Sequence, residues 1–123
     1  MNQLPDEPRL RLRIVFGPDE MMGPGKAELL EHIAATGSIA AAGRQMGMSY
    51  KRAWMLVETL NAMFHAPLVS STRGGPGGGG AELTDTGRSV LRLYRDVAAK
   101  AATAGATELA ALQAMLSDIP DGK

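Results

Sequence analysis

Cysteine is absent from this 123-residue chain, which excludes disulfides, thiolate metal sites and cysteine nucleophiles. The two histidines, His32 and His65, stand far apart without the short spacing of a metal pair, so no metal and no other cofactor is expected. Aromatic residues are few as well. Phe16, Tyr50, Trp54, Phe64 and Tyr94 are all of them, 4% of the chain, and a core must be built from Leu, Met, Val and Ala instead. No apolar run approaches the roughly 20 residues of a membrane span, and the first ten residues lack the hydrophobic centre of a secretion signal, so the chain reads as cytoplasmic with no membrane partner. What is present is enough for one domain with a core of its own. The formal net charge of +0 conceals segregation. Residues 38–95 carry Arg44, Lys51, Arg52, Arg73, Arg88, Arg92 and Arg95 against Glu58, Glu82 and Asp85, a local +4 flanked by acidic ends. Such a basic middle is compatible with a nucleic-acid footprint and equally with solvated helix faces.

Arg9 to Phe16 alternates with period two, which predicts a strand with Leu10, Leu12, Ile14 and Phe16 on one face and three arginines on the other, solvated side. After Gly17-Pro18-Asp19 and Gly23-Pro24-Gly25, a helix from about Lys26 to Thr36 turns Leu29, Leu30 and Ile33 inward. Gly37 then offers a left-handed stop and Ser38 an N-cap for a second helix, Ser38 to Met46. Gly47 and Ser49 repeat the pair ahead of a third, Tyr50 to about Phe64, with Ala53, Leu56, Val57, Leu60 and Phe64 at helical spacing. A short small-residue helix joined so tightly to a longer amphipathic one is the sequence form of a helix-turn-helix. Leu68–Arg73 and Ala81–Thr84 enclose a glycine-rich run, which is either a flexible linker or the tip of a β-hairpin; the strand-like flanks favour a hairpin, a wing behind the helix-turn-helix. Thr84 caps a last helix with Val90, Leu91, Tyr94, Val97, Ala98 and Ala101 apolar, a pattern that Leu109, Leu112 and Leu116 resume after a kink or break expected near Gly105.

Two constellations need a chemical test. Gly17 to Ala27 lies between strand and helix, where a phosphate-cradling GxxxxGK(S/T) loop would sit, but Glu20 occupies the place of the first glycine and Ala27 has no hydroxyl for magnesium. Nucleotide hydrolysis is excluded on those residues. No nucleophile-base-acid spacing and no paired carboxylates are present, so no enzyme activity is expected. Ser49-Tyr50-Lys51-Arg52, by contrast, sets two cations at the positive end of a helix dipole, where acids are the stable choice. A recognition helix explains this misfit, because its first turn enters the major groove, where Arg grips guanine, Lys reaches bases or phosphates and Tyr packs on sugar or a thymine methyl. Arg73 at the base of the wing is placed to meet a phosphate. Trp54 reads as a packing residue, and Met46, Met48, Met55 and Met63 as gap-fillers in an aromatic-poor core.

Taken together, Gly37 to Trp54, with its GSI start and its MSYKRAW helix start, the wing RGGPGGGGAELT and the helix behind it resemble the amino-terminal DNA-binding domain of ModE-type molybdenum-responsive transcriptional regulators, of the LysR-like winged helix-turn-helix class. The resemblance extends from about Leu10 to Tyr94. It implies a mainly α (α+β) fold with an N-terminal strand, a β-hairpin wing and a long C-terminal dimerisation helix. It implies Ser49, Tyr50, Lys51 and Arg52 for the DNA groove, Ser38 for a phosphate, and Arg73 with Gly74, Gly75, Gly77 and the rest of the glycine run for the wing contact. Members of this family carry a second, β-rich domain that binds molybdate, and the sequence ends at Lys123 before one. The expectation is therefore either a stand-alone DNA-binding member working with a separate molybdate-binding protein, or one that senses nothing itself, and in both cases a chain that does not respond to molybdate alone.

The expected organisation is a tail (1–8), a winged helix-turn-helix (9–84), a dimerisation helix (85–118) interrupted near Gly105, and a tail (119–123). Unbroken, the last helix would span about 48 Å at 1.5 Å per residue, against a radius of gyration near 12 Å for an ~80-residue body. Leu91, Tyr94, Val97, Leu109, Leu112 and Leu116 would then project into water, so a two-fold homodimer is expected, with DNA half-sites about one turn or a multiple apart. The alternative is a winged-helix protein-interaction module that does not bind DNA, since a fold does not dictate its function.

Overall fold

The computed structural model describes residues 8–72 and 80–117. Its first two strands are short: β1 (Ile14–Val15) pairs antiparallel with β2 (Met21–Met22), Ile14 opposite Met22 and Val15 opposite Met21. The eight-residue strand expected from the alternation is thus a correction. Its partner segment is only two residues long, ending where Gly23-Pro24 opens a helix, so nothing is available for residues 9–13 to pair with. Burial still alternates from Arg9 to Ile14, arginines out and leucines half-buried, but Phe16 breaks the pattern. Its N–H donates to Glu20 O at 2.8 Å in the turn, and the ring is 59% exposed, edge-on to Phe64 with centroids 6.3 Å apart.

Helix α1 (Pro24–Thr36) takes proline in its first turn, where the missing N–H is not needed, and buries Ala27, Leu29, Leu30 and Ile33. It stops at Gly37. The N–H of Gly37 returns to Ile33 O at 2.8 Å with φ at 72°, the left-handed cap. Ser38 Oγ then accepts the Ala41 N–H at 3.0 Å and starts α2 (Ile39–Gln45). Helix α3 (Tyr50–Met63) follows, with Ala53, Val57 and Leu60 on its buried side. Strands β3 (Val69–Thr72) and β4 (Gly80–Leu83) pair antiparallel, Val69 with Leu83 through Thr72 with Gly80. The flanks of the glycine run are therefore a hairpin and not a linker. Its tip, residues 73–79, lies outside the described residues.

Met22, Leu29, Leu30, Ile33, Leu60 and Leu68 are fully buried and form the centre of one apolar core between α1, α3 and the base of the hairpin. Helix α4 (Asp85–Ala104) is fastened to that base. Thr84 Oγ1 accepts the Gly87 N–H at 2.9 Å and donates to Pro67 O at 2.7 Å, and the Thr84 N–H donates to Leu68 O at 2.9 Å. One continuous C-terminal helix does not form: α4 ends at Ala104 and α5 (Ala106–Ala114) begins beyond Gly105, whose φ and ψ are −97° and 12°. Glycine has the least to gain from helical backbone, and α5 buries no residue that would hold the join straight. Among the described residues no helix is long and apolar enough to cross a membrane. The described residues form a mainly α winged helix-turn-helix with five helices and two small hairpins.

Candidate nucleic-acid interface

The helix-turn-helix is tight because its contact residues are small. An added Cβ on Gly43 of α2 would come within 3.0 Å of Ala53 Cβ on α3, so these helices touch almost backbone to backbone. The turn between them closes with Met48 N–H on Gly43 O at 2.9 Å and Gly47 in the left-handed region at φ 72°. Ser49 then caps α3, its Oγ accepting the Arg52 N–H at 3.1 Å. Tyr50, Lys51 and Arg52 stand exposed in the first turn, which contains no acidic residue.

The cations of this turn have no ion pair among the described residues, as is also true of Arg9, Arg13 and Lys100, whereas four other arginines are paired. Arg11 pairs with Glu28 at 3.3 Å, Arg92 with Asp96 at 4.0 Å and Arg88 with Asp85, while Arg95 makes a two-pronged pair with Glu31 at 2.8 and 2.6 Å. That hydrogen bond raises the Arg95 pKa above its ordinary value. Among the described residues Arg44, Lys51 and Arg52 meet no carboxylate. Lys26, the lysine of the failed phosphate loop, is committed inside the fold: its Nζ donates to Met21 O at 2.7 Å, and partial burial lowers its pKa. Among the described residues no three His, Asp or Glu side chains converge as a metal site would need.

Two grooves flank the start of α3. On the wing side a cleft of about 330 Å³ is lined by Ser38, Tyr50, Trp54, Ser71 and Thr72, so the start of α2, the recognition turn and the hairpin share one concave surface. Ser38 Oγ accepts from Ala41 N–H within the cap, which leaves its own proton to donate outward. On the opposite side a groove of about 350 Å³ holds Ser49, Lys51, Arg52, Met55, Leu56 and Thr59. The expected groove residues are thus brought together, Ser38 and Tyr50 on one side, Ser49, Lys51 and Arg52 on the other. The wing residues Arg73, Gly74, Gly75 and Gly77 lie outside the described residues.

Trp54 is a correction to the packing reading. It is 44% exposed and walls the wing-side cleft, since the buried line Ala53, Val57 and Leu60 points elsewhere on the helix. Met55, 53% exposed, is likewise no gap-filler. A third residue went unnoticed because nothing in its neighbourhood marks it: Asn61 on α3. Its Oδ1 accepts the Leu68 and Val69 N–H groups at 2.8 and 3.0 Å and its Nδ2 donates to Val69 O at 3.2 Å. With Ala81 N–H on Gly37 O at 2.9 Å, this fixes the hairpin to α3 and to the turn between α1 and α2.

Of the six residues expected at a dimer interface, Tyr94 is a correction. It is 4% exposed, and its hydroxyl donates to Leu12 O at 2.5 Å, so it belongs to the protomer's own core. Leu91 is half-buried against that core, and Leu109 is half-buried on α5. Val97, Leu112 and Leu116 are exposed, as are Leu93 and Met115 beside them.

Comparison with known proteins agrees with this geometry. A family described as bacterial regulatory helix-turn-helix protein, lysR family, matches residues 25–88. The chain is 45% identical over 73 residues to the molybdenum-pterin-binding protein MopB of Rhodobacter capsulatus, covering 59% of this chain and 27% of that protein. It is 42% identical over 91 residues to MopA of the same organism, covering 74% and 34% respectively. To the DNA-binding transcriptional dual regulator ModE of Escherichia coli (strain K12) it is 42% identical over 71 residues, covering 58% and 27%. The match spans about a third or less of the length of these relatives.

Proposed function

The chain belongs to the lysR family of bacterial regulatory helix-turn-helix proteins, and from that premise we propose that it is a sequence-specific double-stranded DNA-binding transcriptional regulator, linked to molybdenum metabolism and acting as a homodimer. The observation that carries the reading is the first turn of α3. Two unpaired cations stand beyond Ser49 at the positive end of a helix, a placement that costs stability in isolation and is offset only when an anionic partner arrives. Double-stranded DNA is such a partner, and the helix that carries these side chains is tied through Asn61 to the base of the wing. Arg52 is the candidate for guanine, Lys51 for bases or phosphate, and Ser38 with the wing residues Arg73, Gly74, Gly75 and Gly77 for the backbone.

Assembly rests on the far end of the chain. Val97, Leu112 and Leu116, with Leu93 and Met115, put large apolar side chains into water along α4, α5 and the two residues after it, and pairing this region with a second copy removes them from it. A two-fold pair then presents two recognition helices to half-sites about one DNA turn or a multiple apart. The molybdenum link follows the names of the relatives, and the proposal includes a separate molybdate-binding protein as partner, in the cytoplasm. The test is selection of bound fragments from genomic DNA by the purified protein. Recovery of a common two-fold sequence supports the reading, and recovery of fragments with no shared sequence contradicts it.

A further inference from the structure

Resting on the DNA reading above, we propose that Met55 determines specificity by packing on the 5-methyl group of a thymine, within two base pairs of the guanine taken by Arg52. Position is the first observation. At about 100° per residue, the buried line Ala53, Val57 and Leu60 leaves Lys51, Met55 and Glu58 on the opposite, outermost face of α3. Charged side chains are expected there, yet the middle of that face is a methionine 53% exposed. Met46, Met48 and Met63 pack against the core, as methionine in an aromatic-poor protein should, but Met55 has no core to fill.

The groove around it supplies the second observation. Met55 and Leu56 line it with apolar surface and Thr59 adds a methyl, beside Lys51 and Arg52 in the same lining. In the major groove thymine alone offers an apolar group, whereas adenine and cytosine offer amino donors that would lose their water against Met55 without gaining an acceptor. Arg52 and Met55 are three residues apart, about 4.5 Å along the helix, which is comparable with the 3.4 Å step between stacked bases. A cation for guanine and an apolar spot for its neighbour are therefore built into one turn. Trp54 is placed differently, in the cleft shared with Ser38 and the wing strands.

The test uses the duplex recovered by genomic selection, with each thymine replaced in turn by deoxyuridine, which removes the methyl and nothing else. Wild-type protein should lose about fourfold in affinity at one thymine, the value of one methyl group taken from water. The Met55→Ala variant should bind the thymine and deoxyuridine duplexes equally, while Met55→Leu and Trp54→Ala should still distinguish them. The neighbouring guanine is identified by 7-deazaguanine, which should weaken wild type and leave Arg52→Ala unchanged. Indifference of the wild type to every deoxyuridine overturns the proposal while leaving DNA binding intact, and so does discrimination that survives Met55→Ala or disappears in Trp54→Ala. Failure to recover any duplex overturns the DNA reading, and this proposal with it.

Discussion

Replacing Asn61 with alanine should destabilise the protein far more than an exposed-helix substitution does. Asn61 Oδ1 is the acceptor for two backbone N–H groups, those of Leu68 and Val69, at residues 0% and 5% exposed. Removing it leaves both donors without a partner in a segment that cannot swing out to water, because Leu68 O is held by the Thr84 N–H and Leu68 itself fills the core. An unsatisfied buried donor costs about 1–3 kcal/mol, so a total of about 2–6 kcal/mol is expected for the two, the lower end applying if water partly replaces the amide. Helix propensity acts in the opposite sense, since alanine is a better helix former than asparagine by roughly half a kcal/mol, so a loss cannot be charged to α3 itself. Urea unfolding followed by circular dichroism reads the change as a lower midpoint at unchanged slope, a shift of at least about 1 M for a slope near 1–1.5 kcal/mol/M. Asn61→Asp keeps both N–H groups accepted but turns an oxygen toward Val69 O, so it should fall between wild type and alanine. A midpoint for Asn61→Ala within about 0.3 M of wild type would refute the assignment of the wing anchor to this residue.

Gly87→Ala should unfold at a lower temperature, because its Cβ would stand 2.1 Å from Leu68 O and α4 would have to lift from the hairpin base, a cost of at least about 1–3 kcal/mol by calorimetry. Tyr94→Phe should lose about 0.5–1.5 kcal/mol through its bond to Leu12 O and leave the sedimentation coefficient of the assembly unchanged, since the ring is inside the protomer. Leu112→Glu with Leu116→Glu should shift the protein to a monomer at micromolar concentration in sedimentation while its circular dichroism persists; a retained dimer would remove α5 from the interface. Arg95→Ala should cost no more than about 1 kcal/mol, because its pair with Glu31 is largely exposed to solvent.

The parts of this fold that can be read from the sequence are those fixed by local chemistry. Ser38, Ser49 and Thr84 act as caps because a side-chain oxygen three residues ahead of a free N–H needs no tertiary partner, and the helices they start were legible to within two residues. What was misread depends on partners distant in the chain. The alternation of residues 9–16 was sound as a pattern, but strand length is set by the partner, and β2 offers two residues. Tyr94 matched a projecting stripe, and only Leu12, 82 positions away, shows why it turns inward. For Trp54 and Met55 residue type misleads and position decides: helical arithmetic from Ala53, Val57 and Leu60 puts both off the buried face. Asn61 carries no signal, since a polar residue near the end of a helix is ordinary until its backbone partners at Leu68 and Val69 are known.

The central claim is that the cations at the start of α3, with Arg73 of the wing, grip DNA, and salt tests it most directly. Affinity for the selected duplex and for a scrambled one should be measured by fluorescence anisotropy across about 50–200 mM salt. With roughly 6–10 phosphates contacted, log affinity should fall linearly with log salt, losing about three to five decades over that range, and the selected duplex should stay the tighter at every point. Lys51→Ala should reduce the slope by about one. Affinity that is flat in salt, or equal for the two duplexes throughout, would contradict the account.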